Sequence, residues 1–213
     1  MIFFLKELDL RIGNIDQHHL HIIIFSPLLV NKPIRIKIPS LLIILSKHLI
    51  KMNWVLINNK RTTYQTNLKE VLKPIWDDLK NYKWVLTDID FITDDEIPLN
   101  FDQDYFELSS SEFQKIVNSR TQIVWGIIAA IFVHDNLIQK EITKISAEDS
   151  KIWEEGVFLI PNSYLEIVAF DSGYTILKFK DENLSRKFKT YFGKDAIELY
   201  KLNEKRGQVL GSD

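Results

Sequence analysis

The sequence predicts an α/β or α+β fold: a mixed β-sheet with helices packed on it. Three observations carry this expectation. Short β-rich runs recur along the chain, at residues 54–57, 84–91, 123–133, 164–170 and 174–179. Between several of them, apolar residues step by three and four, as on one face of a helix. A hydrophobic share of 46%, with 12% aromatics, gives 213 residues a sizeable core and excludes a disordered chain or a fibre. Glycine and proline are scattered and no linker or low-complexity run appears, so one globular domain over 1–203 is expected, with a loose tail from 204 to 213.

The elements follow in order. Residues 1–5, 21–25 and the alternating 34–38 read as strands. Ser40 caps a short buried helix over 41–51, although that run is apolar all round and also suits a strand. A strand at 54–57 precedes Asn67 and Glu70, a capping pair in which Asn accepts a free backbone N–H and Glu reaches back. Leu68, Val71, Leu72, Ile75 and Leu79 then share a face to about Tyr82, with Pro74 kinking the helix or delaying its start. The strand at 84–91 repeats the Trp-Val-Leu of 54–56 after 30 residues. The stretch 54–91 therefore reads as a β-α-β unit with neighbouring parallel strands.

Ser109 and Glu112 form a second capping box, opening a helix to about Arg120. The run at 123–133 is β-rich and apolar throughout, a central strand buried on both faces. Residues 134–162 read as irregular. Asp171-Ser172-Gly173 joins the last two strands as a hairpin, Gly173 supplying tolerance of positive φ. Asp181 caps a helix whose Leu184, Phe188, Tyr191 and Phe192 face one way, and Gly193 closes it.

Composition excludes whole classes of chemistry. Without cysteine there is no disulfide, thiolate nucleophile, thiolate zinc site or iron–sulfur cluster. The apolar start of the chain meets Lys6, Glu7, Asp9 and Arg11 at once, unlike a signal peptide. The longest apolar runs, 41–45 and 123–133, fall short of the roughly 20 residues of a membrane-spanning helix. The expectation is a cytoplasmic protein with no membrane partner. A net charge of −2 speaks against a generally basic nucleic-acid binder.

That net charge hides three blocks. Residues 1–83 carry 13 Lys/Arg against six Asp/Glu, and 115–213 carry 14 of each. Residues 84–114 carry no base and nine acids: Asp88, Asp90, Asp94, Asp95, Glu96, Asp102, Asp104, Glu107 and Glu112. Such a window creates a local field that steers a charged partner. Within it Phe91, Ile92, Ile97, Leu99, Phe101, Tyr105 and Phe106 interleave with the acids, as in a long surface loop held down by apolar anchors. Lys69, Lys73 and Lys80 form a basic stripe, read as the solvated face of the helix beside that window.

Few residues suggest catalysis. Asp88 and Asp90, at i and i+2 at the end of an apolar strand, point to one face and offer Mg²⁺ ligands or a nucleophile. The string resembles the first motif of haloacid-dehalogenase-like phosphatases, but Phe91 replaces the expected Gly, Thr93 comes one position late, and no downstream Lys and acidic pair follows. His19 and His21 share a strand face, with His18 beside them, yet a metal site needs three or four ligands; His48 and His134 are isolated. Ser110, Ser111 and Ser163 lack a nucleophile-elbow context, and no phosphate loop or dinucleotide fingerprint is present.

The order of features over 52–202 resembles small single-domain immunity proteins of bacterial toxin systems. It comprises a Trp-Val-Leu strand, an amphipathic helix, the strand at 84–91, the acidic loop to Phe106, the Ser109 helix start, Trp125-Gly126, and a strand pair with a closing helix. The resemblance implies a cytosolic, non-catalytic protein that binds and occludes a cognate toxin, needs no cofactor, and leaves residues 1–51 unexplained. The acidic loop suits a basic toxin domain, with Asp94, Asp95, Glu96, Asp102, Asp104 and Tyr105 as contacts. The alternatives are a metal-dependent hydrolase using Asp88 and Asp90, and a structural or regulatory module.

Overall fold

The computed structural model describes residues 52–203 in full, and residues 9–12, 21–25 and 34–37 as backbone strands. The chain divides into two compact units, Met1–Ile50 and Lys51–Asp213. In the first unit, β1 (Asp9–Ile12), β2 (His21–Phe25) and β3 (Ile34–Lys37) form an antiparallel sheet in that order. The strands expected at 21–25 and 34–38 are there. The strand at 1–5, the segment 41–51 and the tail 204–213 lie outside the described residues.

The second unit is built on seven strands: β4 (Asn53–Leu56), β5 (Tyr82–Ile92), β6 (Tyr105–Leu108), β7 (Gln122–Phe132), β8 (Leu165–Phe170), β9 (Tyr174–Phe179) and β10 (Ala196–Glu198). Their order is β10-β4-β9-β8-β7-β5-β6, with every neighbouring pair antiparallel. The expectation of helices packed on a sheet holds for the class, and the parallel β-α-β unit does not. β4 and β5 do run in the same direction, but β9, β8 and β7 lie between them. The apolar run of β7, read as a central strand buried on both faces, is one: it lies between β8 and β5 and feeds both cores. Here an antiparallel sheet is covered on both faces, which removes polar alternation as it does in parallel sheets.

Alternation along the strands sorts side chains between two cores. Trp54, Leu56, Trp84, Leu86, Ile128, Ala130, Ile167 and Leu177 point to one face, under the helices. Those helices are α1 (Leu68–Leu72), α2 (Ser110–Asn118) and α4 (Glu182–Phe192). Val55, Val85, Ile127, Ala129, Val168 and Ile176 point the other way. They meet Ile142 of α3 (Gln139–Ile142), Ala147, Ile152 and Ile160 from the irregular segment, and Leu199. On the helical face Trp84 stacks on Phe113 at 3.9 Å between centroids. Full burial of such a ring contributes roughly 2 kcal/mol or more.

Local signals explain most element ends. At α2, Ser109 Oγ accepts the Glu112 backbone N–H while the Glu112 carboxylate accepts the Ser109 N–H at 2.8 Å, a complete capping box. At α1, Asn67 accepts the Glu70 N–H, but the Glu70 carboxylate does not reach back; it takes the Thr63 N–H and hydroxyl instead. The single helix expected to Tyr82 is two pieces. α1 stops at Leu72, and a 3-10 turn, Trp76–Leu79, follows. Pro74 has no N–H to give and obstructs the preceding turn, so the ladder breaks there while Ile75 and Leu79 stay buried. In the β8–β9 hairpin three residues separate the paired Phe170 and Tyr174; the left-handed ones are Asp171 and Ser172 (φ 51° and 49°), not Gly173, whose N–H donates to the Phe170 carbonyl at 3.1 Å.

Candidate functional site

The acidic window maps onto the second half of β5, the loop to β6, and the start of α2. Its nine acids separate into two groups. Four are engaged. Glu112 closes the α2 cap, and the Ser109 hydroxyl and N–H hold its carboxyl below the usual range. Glu107 accepts Lys83 Nζ at 2.6 Å and the Tyr105 hydroxyl at 3.0 Å, and the Lys83 hydrogen bond lowers its carboxyl pKa. Burial, then Glu107, pushes the Tyr105 hydroxyl up to about 12. Asp95 accepts the Arg120 backbone N–H at 2.6 Å and its guanidinium at 3.4 Å; the backbone bond is the larger cause of its lowered pKa.

Asp88 is the fourth. The sequence placed Asp88 and Asp90 at a strand end; they sit within the 11-residue β5. A bulge there shifts the β5–β7 register between Thr87 and Phe91, and Asp88 adopts φ 55°. The bulge, rather than simple alternation, therefore directs the pair. Asp88 Oδ2 accepts Trp125 Nε1 at 2.9 Å, Ser146 Oγ at 2.8 Å and the Ala147 N–H at 2.8 Å, tying the irregular segment to the sheet. Opposite lies Gly126 at φ 118°, where a Cβ would stand 2.5 Å from the Asp88 carbonyl oxygen. Among the described residues no group of three or more His, Asp or Glu is placed to hold a metal ion.

The remaining five, Asp90, Asp94, Glu96, Asp102 and Asp104, are exposed, and their side chains make no ion pair or hydrogen bond with the described residues. They stand on an ordered scaffold. Phe101 stacks on Phe91 at 4.6 Å and 10°. Thr93 Oγ1 accepts the Asp95 N–H and the Thr121 hydroxyl, and Asn100 Oδ1 accepts the Asp102 N–H. Ile97 and Leu99 pack against the helical-face core, and the Asp104 carbonyl accepts the Asp88 N–H at 3.0 Å. Two large apolar side chains stay open to solvent between the acids: Ile92 at 63% and Phe101 at 78%.

Of the six contacts expected from sequence, Asp94, Glu96, Asp102 and Asp104 thus share this open surface. Asp95 anchors the loop, and Tyr105 lies in β6 with its ring against the second core. The basic stripe does not answer the window. Lys80 pairs with Asp77, Lys73 lies over the Tyr191 ring, and Lys83 supplies the pairing with Glu107. His134 is exposed; His18, His19 and His48 lie outside the described residues. The Ser163 hydroxyl donates to the Ile160 carbonyl.

Sequence reasoning missed a buried polar row. Asn53, Lys178 and Glu166 stand side by side on β4, β9 and β8. Lys178 Nζ donates to the carbonyls of Lys151 (3.0 Å) and Val157 (2.5 Å), and Glu166 Oε2 accepts the N–H groups of Leu159 and Ile160. The Asn53 amide donates to Glu155. The row thereby clamps residues 151–160 onto the second face. One signal was available: two opposite charges inside apolar strands, symmetric about the 171–173 turn.

No protein-family model, curated protein or solved structure matches the chain. No helix among the described residues is long and apolar enough to cross a membrane.

Proposed function

We propose that the chain is a non-catalytic binding protein of the bacterial immunity type, which neutralises a cognate toxin by occluding it with the acidic loop. One observation supports the reading most: five carboxylates without partners among the described residues, Asp90 on β5 and four on the loop after it, interleaved with exposed Ile92 and Phe101 and tied down by ring stacking and hydrogen bonds. Interfaces draw affinity from desolvated aromatics and association rate from charge. A preordered loop binds without a large ordering cost. The partner face that fits is basic with an apolar pocket for Phe101, as in a nucleic-acid-cleaving toxin domain. Such a role belongs in the cytoplasm.

The test is affinity capture from the native host with the wild-type chain and with a triple variant, Asp94→Lys, Asp102→Lys and Asp104→Lys. A basic protein held by the wild type, eluted by raised salt and lost from the variant is the expected result, since surface charge pairs are screened over about 10 Å at 0.1 M salt. Equal capture by both chains overturns the acidic-loop docking. A captured partner with no toxic activity overturns the immunity role.

A further inference from the structure

At the end of the sheet where β5 begins and β6 and β7 finish, a groove of about 670 Å³ opens to solvent. Ligand sites commonly occupy about 300–1,000 Å³ and combine apolar walls with a few convergent polar groups. Tyr82 and Leu108, both core residues, form part of the lining, with Val133 beside them. The Tyr82 ring lies 5.0 Å from that of Phe132, and Phe132 and Val133 are 51% and 55% exposed. The apolar lining of the groove is therefore exposed Val133 backed by the buried Tyr82 and Leu108, with Phe132 exposed beside it.

The polar lining is unbalanced. Its one carboxylate, Glu107, is spent on Lys83 and the Tyr105 hydroxyl. Against it stand the Asn81 amide, the Ser110 hydroxyl and the His134 ring, none with a side-chain partner among the described residues. Lys80 adds an ammonium group whose one ion-pair partner among the described residues is Asp77, three residues earlier and 88% exposed. Exposed pairs of that kind contribute about 0–1 kcal/mol and exchange readily. The lining carries two ammonium groups, Lys80 and Lys83, against the single Glu107 carboxylate, and Asn81, Ser110 and His134 can each donate as well as accept. A cationic ligand would meet Lys80, and a purely apolar one would leave the donors unserved. A terminal phosphate brings three acceptor oxygens and a charge opposite to that of Lys80.

We propose that this groove binds a small phosphate monoester carrying an aromatic or apolar group. Lys80, Asn81, Ser110 and His134 meet the phosphate, and the apolar part lies along Tyr82, Leu108 and Val133. The groove lies at the start of β5, whereas the acidic loop leaves the far end of β5 and returns beside Asp88; what the groove binds is independent of what that loop binds.

Phenyl phosphate titrated into the full chain, followed by backbone amide NMR, tests this. The expected result is saturable binding with a Kd on the order of 1 mM or tighter, with shifts at Asn81, Ser110 and Val133. The double variant Lys80→Gln/His134→Gln changes only exposed side chains, so it keeps the wild-type Tm and binds at least about tenfold more weakly. The triple loop variant binds as the wild type does. Absence of saturable shifts, shifts confined elsewhere, or equal affinity in the double variant overturns the site. If benzyl alcohol binds as tightly as phenyl phosphate, the phosphate assignment falls. If inorganic phosphate does, the apolar half falls.

Discussion

Glu166 shows what one buried residue contributes. Its carboxylate has no exposure, yet Oε2 satisfies two backbone N–H groups of the segment it holds. Burial raises its pKa, with the two N–H groups and Lys178 acting in the opposite direction. A folded-state pKa above the unfolded value makes the stabilisation greatest below the unfolded pKa and removes it as pH rises through the folded one. Glu166→Gln keeps an oxygen for both N–H groups and discards the charge. Its unfolding free energy should therefore stay within about 1 kcal/mol of wild type and lose this pH dependence. Glu166→Ala leaves two buried N–H groups unserved and should cost about 3 kcal/mol. Urea denaturation at mildly acidic and mildly alkaline pH distinguishes these outcomes; a Gln variant as unstable as the Ala variant would show that the charge itself is required.

At the scale of elements, helix starts were the most legible feature, because a cap is a local contact between residues three apart. The α2 capping box is the clearest case. Ser109→Ala removes the acceptor for the Glu112 N–H and should lower stability by about 1 kcal/mol, with Asp94 and Glu96 unaffected as loop acids. A thermal melt together with loop amide shifts checks both halves; loop shifts as large as those in α2 would refute a purely local cap. Pro74, expected to kink the helix or delay its start, instead ends α1 after a start at Leu68. The apolar stripe through Leu79 is real and buried, and a 3-10 turn carries its second half. The hairpin turn was placed correctly, but the positive φ fell on Asp171 and Ser172. The register of β8 and β9, fixed by cross-strand contacts, chose which residues turned.

For the whole molecule, the second unit carries two complete cores, one on each face of its seven-stranded sheet. Every strand from β4 to β10 finds its partners within 52–203. A chain beginning at Met52 should therefore fold by itself in one cooperative transition. Circular dichroism and calorimetry of that chain test the expectation; a non-cooperative melt would show that Met1–Ile50 is needed for the sheet. Charge follows the same scale. The acidic window looked uniform along the chain, and in space four of its acids serve structure while five face solvent.

The sequence by itself determined what depends on neighbours a few residues apart. That includes the longer strands and the helices at Leu68, Ser110 and Glu182, though not the short β6, β10 and α3, together with the caps at Asn67, Ser109 and Asp181, the hairpin at 171–173, and the absence of thiol chemistry. It also located the acidic loop between its apolar anchors. Only the tertiary structure decided strand order, because the antiparallel pairing of β5 with β7 and the placement of β9 beside β4 depend on which apolar faces can be covered together. It alone decided which acids are free, since the partners of Asp88 and Asp95 lie 25 to 59 residues away in sequence. It alone assembled the groove at the start of β5, from three segments that share no local pattern. Pairings over such distances are set by packing and register, and no short window of sequence contains them.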